Sequence, residues 1–471
     1  MKKKITINTP SPHSQNQATL ISAFVEPKFE EIWIACGTKW GKTTGAASAF
    51  SAVAPLVEGS LWRWVAPIFT QSKIGFNYCR KMLPPEPYCT INRSQLPTIT
   101  MHGVESKIEF WHGQNAESLE GEAVFGYVFD EAAKMSETVY DSAHTTTTIT
   151  RGPKVAISTP KGKNWFYRKC MEAHDEYTWA IEKGRQPKKI FITAPSTDNP
   201  AVTQAAIAQA RSTLPERLFN QYYLAYFVDD GDTFSNYKQC LYGPDLNVVG
   251  SRQIWFNEEL KKEGQLHCDV VIGVDWAKKI DYTVMTAWNY KEHKMIGFLR
   301  FQNVNYFEAI KQLVWFSRHF RKVDMIYHDR TGLGEVIDDM LDKTTLPYEG
   351  VVFTNQSKAN MVNSLILACE QEIPQLPRWP DMIKEMDSYE VTTTDAGSMK
   401  YAAPEGMHDD IVSSMILGWK AVLEYSEHEL SVKTVETLAS DDKLTVAGWY
   451  KELEQQHDEE FGGWVDIKGI Q

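Results

Sequence analysis

A short apolar run that leads into a glycine- and lysine-containing turn constrains this chain most. Residues 31–37 read EIWIACG, a nearly continuous apolar segment typical of a buried parallel strand. GKTTGAASAFSAV follows and predicts a helix of small residues. Strand, loop and helix in this order form the context of a phosphate-binding loop, whose backbone N–H groups and helix N-terminus face phosphate oxygens. The segment therefore predicts an α/β fold with a parallel sheet and a nucleotide site.

The loop itself, CGTKWGKTT over residues 36–44, departs by one position from the usual spacing. Strict spacing requires a glycine where this chain has Cys36, and Gly37 lies one position closer to the lysine. We expect the Lys42 ammonium to reach the β and γ phosphates of ATP and the Thr43 hydroxyl to ligate Mg²⁺. The loop residues predicted to bind ATP are Gly37, Lys39, Gly41, Lys42, Thr43 and Thr44.

An acidic pair after another apolar strand supplies the partner that hydrolysis requires. GYVFDE (126–131) ends in Asp130 and Glu131. We expect Asp130 to hold Mg²⁺ through water and Glu131 to orient and deprotonate the attacking water. The alternative interpretation is a strand that ends in a solvated acidic turn. A further buried strand, KVAISTPKG (154–162), ends in Ser158 and Thr159.

Three separate carboxylate sites follow in the C-terminal half: GVDWAKKID (273–281), YHDRTG (327–332) and MHDD (407–410). We expect Asp275 in the middle of a strand and Asp329 at the tip of a neighbouring strand, so that both point into one site. Carboxylates gathered in this way hold two divalent ions about 4 Å apart over a phosphodiester. Oxygen ligands favour Mg²⁺ or Mn²⁺ over zinc. The acids predicted to bind these metals are Asp275, Asp281, Asp329, Asp409 and Asp410.

Several of these positions have a simpler interpretation. Asp281 is also typical of a turn. His328 and His408 stand beside the acids and are more typical of hydrogen-bonding neighbours than of ligands. Asp409 and Asp410 open a helix with apolar residues at every fourth position, and one of the two can serve as its cap. We place Asp409 ahead of Asp410 as the catalytic ligand.

The order of the C-terminal elements indicates a second α/β unit. Antiparallel strands come first, and alternating helices and strands follow, which is the layout of a ribonuclease-H-like nuclease. A hairpin is expected over 391–406, where Lys400 is a weak candidate for DNA contact. The predicted division is a phosphate-loop ATPase domain (1–230), a linker (231–264), a ribonuclease-H-like nuclease domain (265–425) and an acidic tail (426–471).

Composition limits the class of protein. Hydrophobic residues make up 43% of the 471 residues, which is typical of a globular chain. No apolar run is long enough to span a membrane. The seven cysteines are scattered and predict reduced thiols in a cytoplasm. The formal net charge of −12 disfavours DNA binding, but basic residues cluster within 151–169 and 183–189. The charge therefore does not decide the question.

In the order of its motifs the chain resembles the large terminase subunits of tailed bacteriophages. The matching stretches are WVAPIFTQSK (64–73), SLEGEAVFGYVFDEA (118–132), ISTPKGKNWFYR (157–168) and TDNPAV…LPERLFNQYYLAYFVDDGDTF (197–234). The resemblance covers about residues 10–420 and implies an ATPase of the ASCE type.

The resemblance also implies roles for single residues. Gln17, or alternatively Gln15, would contact adenine, and either could be a residue that starts a helix. Ser158 and Thr159 would sense the γ-phosphate and couple its loss to movement. Asp281 would be an accessory acid. Many relatives carry Leu-Arg-Gly where this chain has Leu119-Glu120-Gly121. By this resemblance, their arginine reaches into the nucleotide site of a neighbouring subunit and is called the trans-acting cation. In this chain the role stays open among Lys39, Arg63, Arg80, Arg93 and Arg151.

The function implied is that of a phage DNA-packaging motor. ATP hydrolysis would move double-stranded DNA into a procapsid, and a two-metal endonuclease would cut concatemers. The implied partners are DNA, the portal protein, the small terminase subunit and further copies in a ring, taken as a pentamer. The expected location is the host cytoplasm and the procapsid portal, with no membrane association and no place in the mature virion. The acidic tail, which carries Trp449, Tyr450, Phe461 and Trp464, either docks on a partner, which we favour, or folds back on the nuclease.

Two other functions stay open. The first is a helicase–nuclease of DNA repair or recombination, which would unwind a duplex, whereas a packaging motor moves along it. The second is a DNA-binding scaffold with a decayed nucleotide site, and only the Cys36 deviation supports it.

Overall fold

A computed structural model describes residues 7–438 apart from 27, 115, 229–232, 235, 259–260, 263–264, 278–280, 333, 394–398 and 405–406. The four aromatic residues named in the acidic tail therefore lie outside the described residues. Within the described part, two large sheets follow one another along the chain. No helix among these residues is long and apolar enough to cross a membrane.

The first sheet has eight strands in the order β3-β4-β5-β2-β6-β7-β1-β8. Its central strands pair in parallel, as the first apolar run predicts, and only β3 and β4 add antiparallel pairs at one edge. The strands are β1 (Glu31–Cys36), β2 (Leu61–Ala66), β3 (Cys89–Asn92), β4 (Thr98–Met101), β5 (Ser106–His112), β6 (Gly126–Asp130), β7 (Lys154–Ser158) and β8 (Lys189–Ala194).

Helices cover both faces of this sheet, and the burial of alternate strand residues produces two apolar cores. Ile32 and Ile34 of β1 point into one core, and Trp33 and Ala35 point into the other. The helices are α1 (Gln15–Val25), α2 (Lys42–Val53), α3 (Phe69–Met82), α4 (Glu137–Thr147), α5 (Trp165–Glu182), α6 (Gln204–Thr213) and α7 (Glu216–Tyr223).

The second sheet has the order β10-β14-β13-β12-β15-β16, with β11 paired to β12. Its first strands are antiparallel, and β15 and β16 add parallel pairs, as the C-terminal layout predicts. The strands of this sheet are β10 (Gln253–Phe256), β11 (Lys261–Lys262), β12 (Gln265–Asp275), β13 (Thr283–Asn289), β14 (Lys294–Phe301), β15 (Phe320–Asp329) and β16 (Tyr348–Val351). Two separate two-stranded sheets pair β9 (Leu241–Tyr242) with β17 (Leu376–Pro377) and β18 (Glu390–Thr393) with β19 (Met399–Ala402).

Helices also cover both faces of the second sheet. Two of them, α8 and α9, pack on one face, and the last three pack on the other. The β18–β19 pair is the hairpin expected over 391–406. The helices are α8 (Tyr306–Ser317), α9 (Gly334–Leu341), α10 (Asn355–Glu370), α11 (Pro380–Ser388) and α12 (Asp410–Leu438).

Three details differ from the sequence expectations. Asp275 is the last residue of β12, so it lies at the strand end and not in the middle. The range 231–264, expected to be a linker, contributes β10 and β11 to the second sheet. The helix α12 continues to Leu438, beyond the start assigned to the tail. The division into domains stays a prediction, because pairing within sheets does not fix where one unit ends.

Two glycines set how closely α12 lies against the second sheet. A Cβ atom on Gly273 of β12 would lie 2.1 Å from the Ser414 carbonyl oxygen and 2.3 Å from the Gly418 nitrogen. A Cβ atom on Gly418 would lie 2.3 Å from the Trp288 Nε1. Both approaches are shorter than a side chain tolerates. The small residues therefore fix the distance between β12, which ends in Asp275, and α12, which begins with Asp410.

We predict that Gly273→Ala lowers the free energy of unfolding by at least about 2 kcal/mol, because backbone atoms of α12 cannot yield as a side chain can. Urea-induced unfolding followed by circular dichroism measures the loss. The matched control is Gly297→Ala on β14, where the added Cβ meets only contacts of 3.2 to 3.4 Å, mostly with side chains. An equal loss in both variants would contradict the close-packing argument.

Candidate active sites

Close backbone packing shapes the loop between β1 and α2. A Cβ atom on Gly37 would lie 2.4 Å from the Ser196 Oγ, so a larger residue does not fit there. Gly41 has a φ of +95°, and a Cβ atom on it would lie 2.9 Å from the His13 Nε2. Cys36 is the fully buried last residue of β1, and burial raises the pKa of its thiol to about 12. The residue that breaks the expected spacing is thus part of the strand.

Lys42, the first residue of α2, joins the loop to two neighbouring strand ends. Its Nζ lies 2.9 Å from the Glu131 Oε1 and donates to the Thr159 Oγ1 at 3.2 Å. Burial opposes the charged ammonium, but the nearby Cys36, Glu131 and Asp130 outweigh this effect and raise the pKa of Lys42. The structure therefore brings a stably protonated lysine to the point where β6 and β7 end.

Thr43 and Asp130 meet beside this lysine. The Thr43 hydroxyl donates to the Asp130 carboxylate, with oxygen distances of 3.3 and 3.4 Å. Burial, together with the charge of Glu131, raises the pKa of Asp130 to about 7. A carboxylate that is costly to ionise in isolation gains from a cation, so this pair fits a divalent ion. Thr44 follows in the first turn of α2, where its carbonyl accepts from the Ser48 hydroxyl.

Glu131 stands in a strained conformation, with a φ of +58°. Burial by itself would raise the pKa of this carboxyl, but Lys42 and Lys134 outweigh burial and lower it. Lys134 Nζ lies 3.1 Å from the Glu131 Oε2. The carboxylate is therefore held ionised at the sheet edge, as a general base requires. A positive φ in a non-glycine residue at such a position is typical of functional sites.

Gln17 of α1 contacts the loop, whereas its rival Gln15 is exposed. Gln17 Nε2 donates to the Gly41 carbonyl oxygen at 3.1 Å, and its Oε1 accepts from the His13 backbone N–H at 3.0 Å. His13 Nε2 lies 2.6 Å from the carbonyl oxygen of Trp40. These bonds tie the N-terminal segment to the loop, and His13 is a participant that sequence reasoning missed.

Ser158 and Thr159 complete the end of β7. Ser158 is fully buried, and its Oγ accepts from the Ala133 N–H at 3.2 Å and donates to the Thr159 carbonyl oxygen at 2.9 Å. The two residues therefore connect Lys42 with the segment that follows Glu131.

A cavity of about 440 Å³ opens in front of these residues. Its walls include Lys134, Lys161 and residues of α7, none of which was predicted to be a site residue. The Tyr222 carbonyl oxygen accepts from the Thr38 N–H at 2.6 Å, so α7 is attached directly to the loop. Lys161 lies in the STPKG segment and α7 lies in the matching stretch 197–234, but the contact of α7 with the loop is long-range and was not predicted.

The candidate trans-acting cations differ in accessibility. Arg63 is 3% exposed, lies 3.2 Å from the Glu109 Oε2 and donates to the Leu119 carbonyl oxygen at 2.5 Å. Its guanidinium is buried and bonded within this chain, so it cannot reach the nucleotide site of a neighbouring subunit. Lys39, Arg93 and Arg151 are exposed, and Lys39 and Arg151 also have positive φ values. The Arg80 Nε is buried without a hydrogen-bond partner.

The second sheet gathers its acids at the ends of β12 and β15 and at the start of α12. Burial raises the pKa of Asp275 well above its usual value, and the charges of Asp410, Asp329 and Asp409 raise it further. Asp329 accepts the Thr331 N–H at 2.7 Å. Four carboxylates concentrated in this way carry more negative charge than the described residues around them compensate, so the oxygen ligands fit divalent cations.

Lys358 of α10 is the basic residue that sequence reasoning missed here. Its Nζ lies 2.8 Å from the Asp409 Oδ2 and also lowers the pKa of Asp275. Asp410 accepts the Tyr282 N–H at 3.1 Å, and burial raises the pKa of Asp410 to about 6. The two adjacent acids thus point to different partners.

Asp281 and the histidines lie at the margin of this cluster. The Asp281 side chain is 51% exposed, and its Oδ1 lies 3.9 Å from the His408 Nδ1, which is 3.5 Å from the Asp410 Oδ2. Ligand atoms of these three residues lie within 4.8 Å of one another. His328 is fully buried between the Trp276 Nε1 at 3.1 Å and the Asp338 Oδ1 at 3.0 Å, so protein groups occupy both of its ring nitrogens. Lys400 is exposed on β19.

Neither aspartate caps α12. Glu385 of α11 performs this task, since its Oε2 accepts the Ile411 N–H at 2.8 Å and the Val412 N–H at 3.4 Å. Its Oε1 is buried without a partner. Burial raises the pKa of Glu385 to about 9, and the charge of Asp410 adds to this effect. The cap leaves both aspartates free for other partners.

We predict that Glu385→Ala lowers the free energy of unfolding by about 1–2 kcal/mol, because the first turn of α12 loses its acceptor. Glu385→Gln keeps an acceptor oxygen and should lose less. The native state holds a proton on Glu385 that the unfolded chain releases above about pH 4.3, so this group contributes less stability as pH rises from there to about 9. Relative to the wild type, Glu385→Gln should therefore gain stability between pH 6 and pH 8.5 in urea titrations. A constant difference would contradict the raised pKa.

Sequence comparison finds two relatives, although no protein-family profile matches the chain. The large terminase subunit of Thermus virus P23-45 is 23% identical over 324 residues, and that of Thermus phage G20c is 24% identical over 324 residues. Each alignment covers 66% of this chain and 63% of the relative. The match thus spans less than two thirds of these relatives.

Structure comparison finds the large terminase of a thermophilic bacteriophage, with a TM-score of 0.53 and 13% identity. It covers 88% of this chain and all of that chain. A second structure of the same terminase, in complex with ADP, gives a TM-score of 0.51 at 12% identity over 86% of this chain and 98% of that chain. The predicted fold class is confirmed, and in sequence and fold the chain is similar to these large terminase subunits of phages.

Proposed function

We propose that this chain is the motor and nuclease of phage DNA packaging, with ATP hydrolysis at the first sheet and DNA cleavage at the second. One observation carries the proposal: a single chain gathers charged side chains at the strand ends of two separate sheets. Lys42, Thr43 and Asp130 belong to the first centre, and Asp275 with the start of α12 belongs to the second. The similarity to the terminase relatives in sequence and fold supports this proposal.

The first centre fits an adenine nucleotide with magnesium. Gly37, Lys39, Gly41 and Thr44 would surround the phosphates, and Gln17 would lie on the adenine side. The thermophilic phage terminase whose fold this chain shares was solved with ADP, which supports the same ligand here. Thr43 and Asp130 would hold Mg²⁺, which supplies compensating charge for the phosphate oxygens.

The pair between Lys42 and Glu131 suggests how this chain prepares for hydrolysis. Lys42 lies against Glu131 at 2.9 Å, and a phosphate in the cavity would compete for the same ammonium. Once Lys42 turns to the phosphate, the Glu131 carboxylate keeps Lys134 as its partner and is free to accept a proton from water. In the present structure Thr159 accepts a hydrogen bond from Lys42. Movement of Lys42 to the phosphate would change this bond, and Thr159 and Ser158 would thereby sense the γ-phosphate.

The second centre fits Mg²⁺ or Mn²⁺. Asp275, Asp329, Asp409 and Asp410 would hold the ions, with Asp281 as an accessory acid. Bound ions would supply an activated water and stabilise the leaving oxygen of a phosphodiester. Asp275 lies at the end of β12 among the other three acids, and we propose that it serves both ions.

The family gives the wider setting of the proposal. Double-stranded DNA is the proposed substrate of both centres, and the portal protein, the small terminase subunit and further copies in a pentameric ring are the proposed partners. The proposed location is the host cytoplasm and the procapsid portal. An exposed cation among Lys39, Arg93 and Arg151 would serve the neighbouring subunit in such a ring.

We predict that Lys42→Ala or Glu131→Ala reduces ATP turnover by at least about a hundredfold, the scale of a lost catalytic group, and leaves metal-dependent plasmid nicking near the wild-type rate. Phosphate release and supercoiled-plasmid assays on the full chain measure the two activities. The control is Lys107→Ala, a partly exposed lysine on β5 that pairs with Glu109 away from the cavity. Normal ATP turnover in Glu131→Ala would refute its assignment as the base.

We predict that Asp275→Ala abolishes nicking in Mg²⁺ or Mn²⁺, because the remaining acids cannot compensate two adjacent cations. Asp329→Ala should be nearly as severe, Asp409→Ala more severe than Asp410→Ala, and Asp281→Ala mild. ATP turnover in the same variants serves as the folding control. A strand-displacement assay completes the test, since a duplex translocase leaves the strands paired. Wild-type nicking by Asp275→Ala would refute the nuclease assignment.

A further inference from the structure

An apolar groove lies between α8 and α9, on the face of the second sheet opposite α12. Its volume is about 450 Å³. Ile310, Val314 and Met340 form its walls, while Phe307 and Trp315 at its margin are 61% and 40% exposed. Exposed aromatic side chains gathered around one concave apolar surface are typical of a binding surface. None of these residues belongs to either proposed active site.

Basic side chains surround the groove. Lys311, Arg318 and Lys343 line it, and the described part of α8 and α9 contributes no acid to its lining. The Lys311 Nζ lies 3.4 Å from the Glu308 Oε2, but both side chains are about half exposed to solvent. An ion pair this exposed contributes little free energy. The groove therefore suits a segment that combines acidic and aromatic side chains.

The chain carries such a segment near its C-terminus, outside the described residues. Asp458, Glu459 and Glu460 stand together and are followed by Phe461 and, three residues later, by Trp464. Acidic side chains would face the basic margin while the two aromatic rings enter the apolar floor. In a chain with a net charge of −12, a basic margin is a scarce partner for this acidic run.

The length of chain available permits this contact. Nineteen residues separate Leu438, the end of α12, from Asp458. Fully extended, they reach roughly 65 Å, whereas a domain of this size has a radius of gyration of about 15 Å. The segment can therefore pass from the α12 face of the sheet to the opposite face.

We propose, in place of the docking on a partner that the sequence alone favoured, that the acidic–aromatic segment 458–464 docks intramolecularly into the groove between α8 and α9. The contact covers an apolar surface that would otherwise face water. It also places segment 458–464 on the face of the second sheet opposite α12, the helix that begins at Asp410. This proposal is independent of the activities proposed above, because it depends only on the groove and on the composition of the segment.

Hydrogen–deuterium exchange of the full chain tests the docking. Replacing Phe461 and Trp464 together by Ala should accelerate exchange of α8 and α9 amides roughly fivefold or more, because local opening no longer requires undocking. Exchange in the first sheet should not change. The matched control replaces Trp449 and Tyr450 by Ala, since these aromatic residues stand in the same tail outside the acidic run.

A charge exchange separates docking from a loss of folding. Lys343→Glu should accelerate exchange at the groove, and combining it with Glu459→Lys should restore protection. Unchanged exchange of α8 and α9 in the Phe461 and Trp464 variant would overturn the proposal. Protection that grows with protein concentration would also overturn it, because the segment would then come from a second copy.

Discussion

Buried negative charge at the ends of strands is the constraint on which both centres depend. Asp130 is the last residue of β6 and Glu131 follows it; Lys42 and Lys134 compensate the Glu131 carboxylate, whereas burial raises the pKa of Asp130. The acids of the second sheet have Lys358 as their principal cation. We therefore propose that Lys42 exchanges Glu131 for a phosphate at the first centre, and that the second centre binds cations from solution. This difference follows from charge and burial alone.

Close packing of small residues determines where the charged side chains of both sites lie. Gly273 and Gly418 bring β12 and α12 together, and Glu385 caps the helix without using Asp409 or Asp410. In the first sheet, Gly37 and Gly41 let the loop approach Ser196 and α1 in the same way. These glycines and the buried Glu385 cap thus determine the positions of the candidate site residues.

The sequence was informative wherever the chemistry is local. An apolar strand followed by glycine and lysine predicted the parallel sheet, and the spacing of acids predicted that two neighbouring strands and a helix start would bring their carboxylates together. It failed where long-range packing decides. Lys358 and Glu385 come from distant segments and carry no motif, and the contact of α7 with the loop is long-range although α7 lies in a matching stretch. The placement of Asp275 in mid-strand was wrong, because apolar pattern alone does not mark where pairing with β13 ends.

The measurement that tests the two-centre account most directly is an anomalous diffraction map of crystals grown with Mn²⁺ and ADP. The account predicts manganese beside Thr43 and Asp130 at the nucleotide, and separate manganese among Asp275, Asp329, Asp409 and Asp410. Manganese at the nucleotide but none near Asp275 at saturating concentration would contradict the assignment of the second sheet. Nucleotide bound away from Lys42 would contradict that of the first.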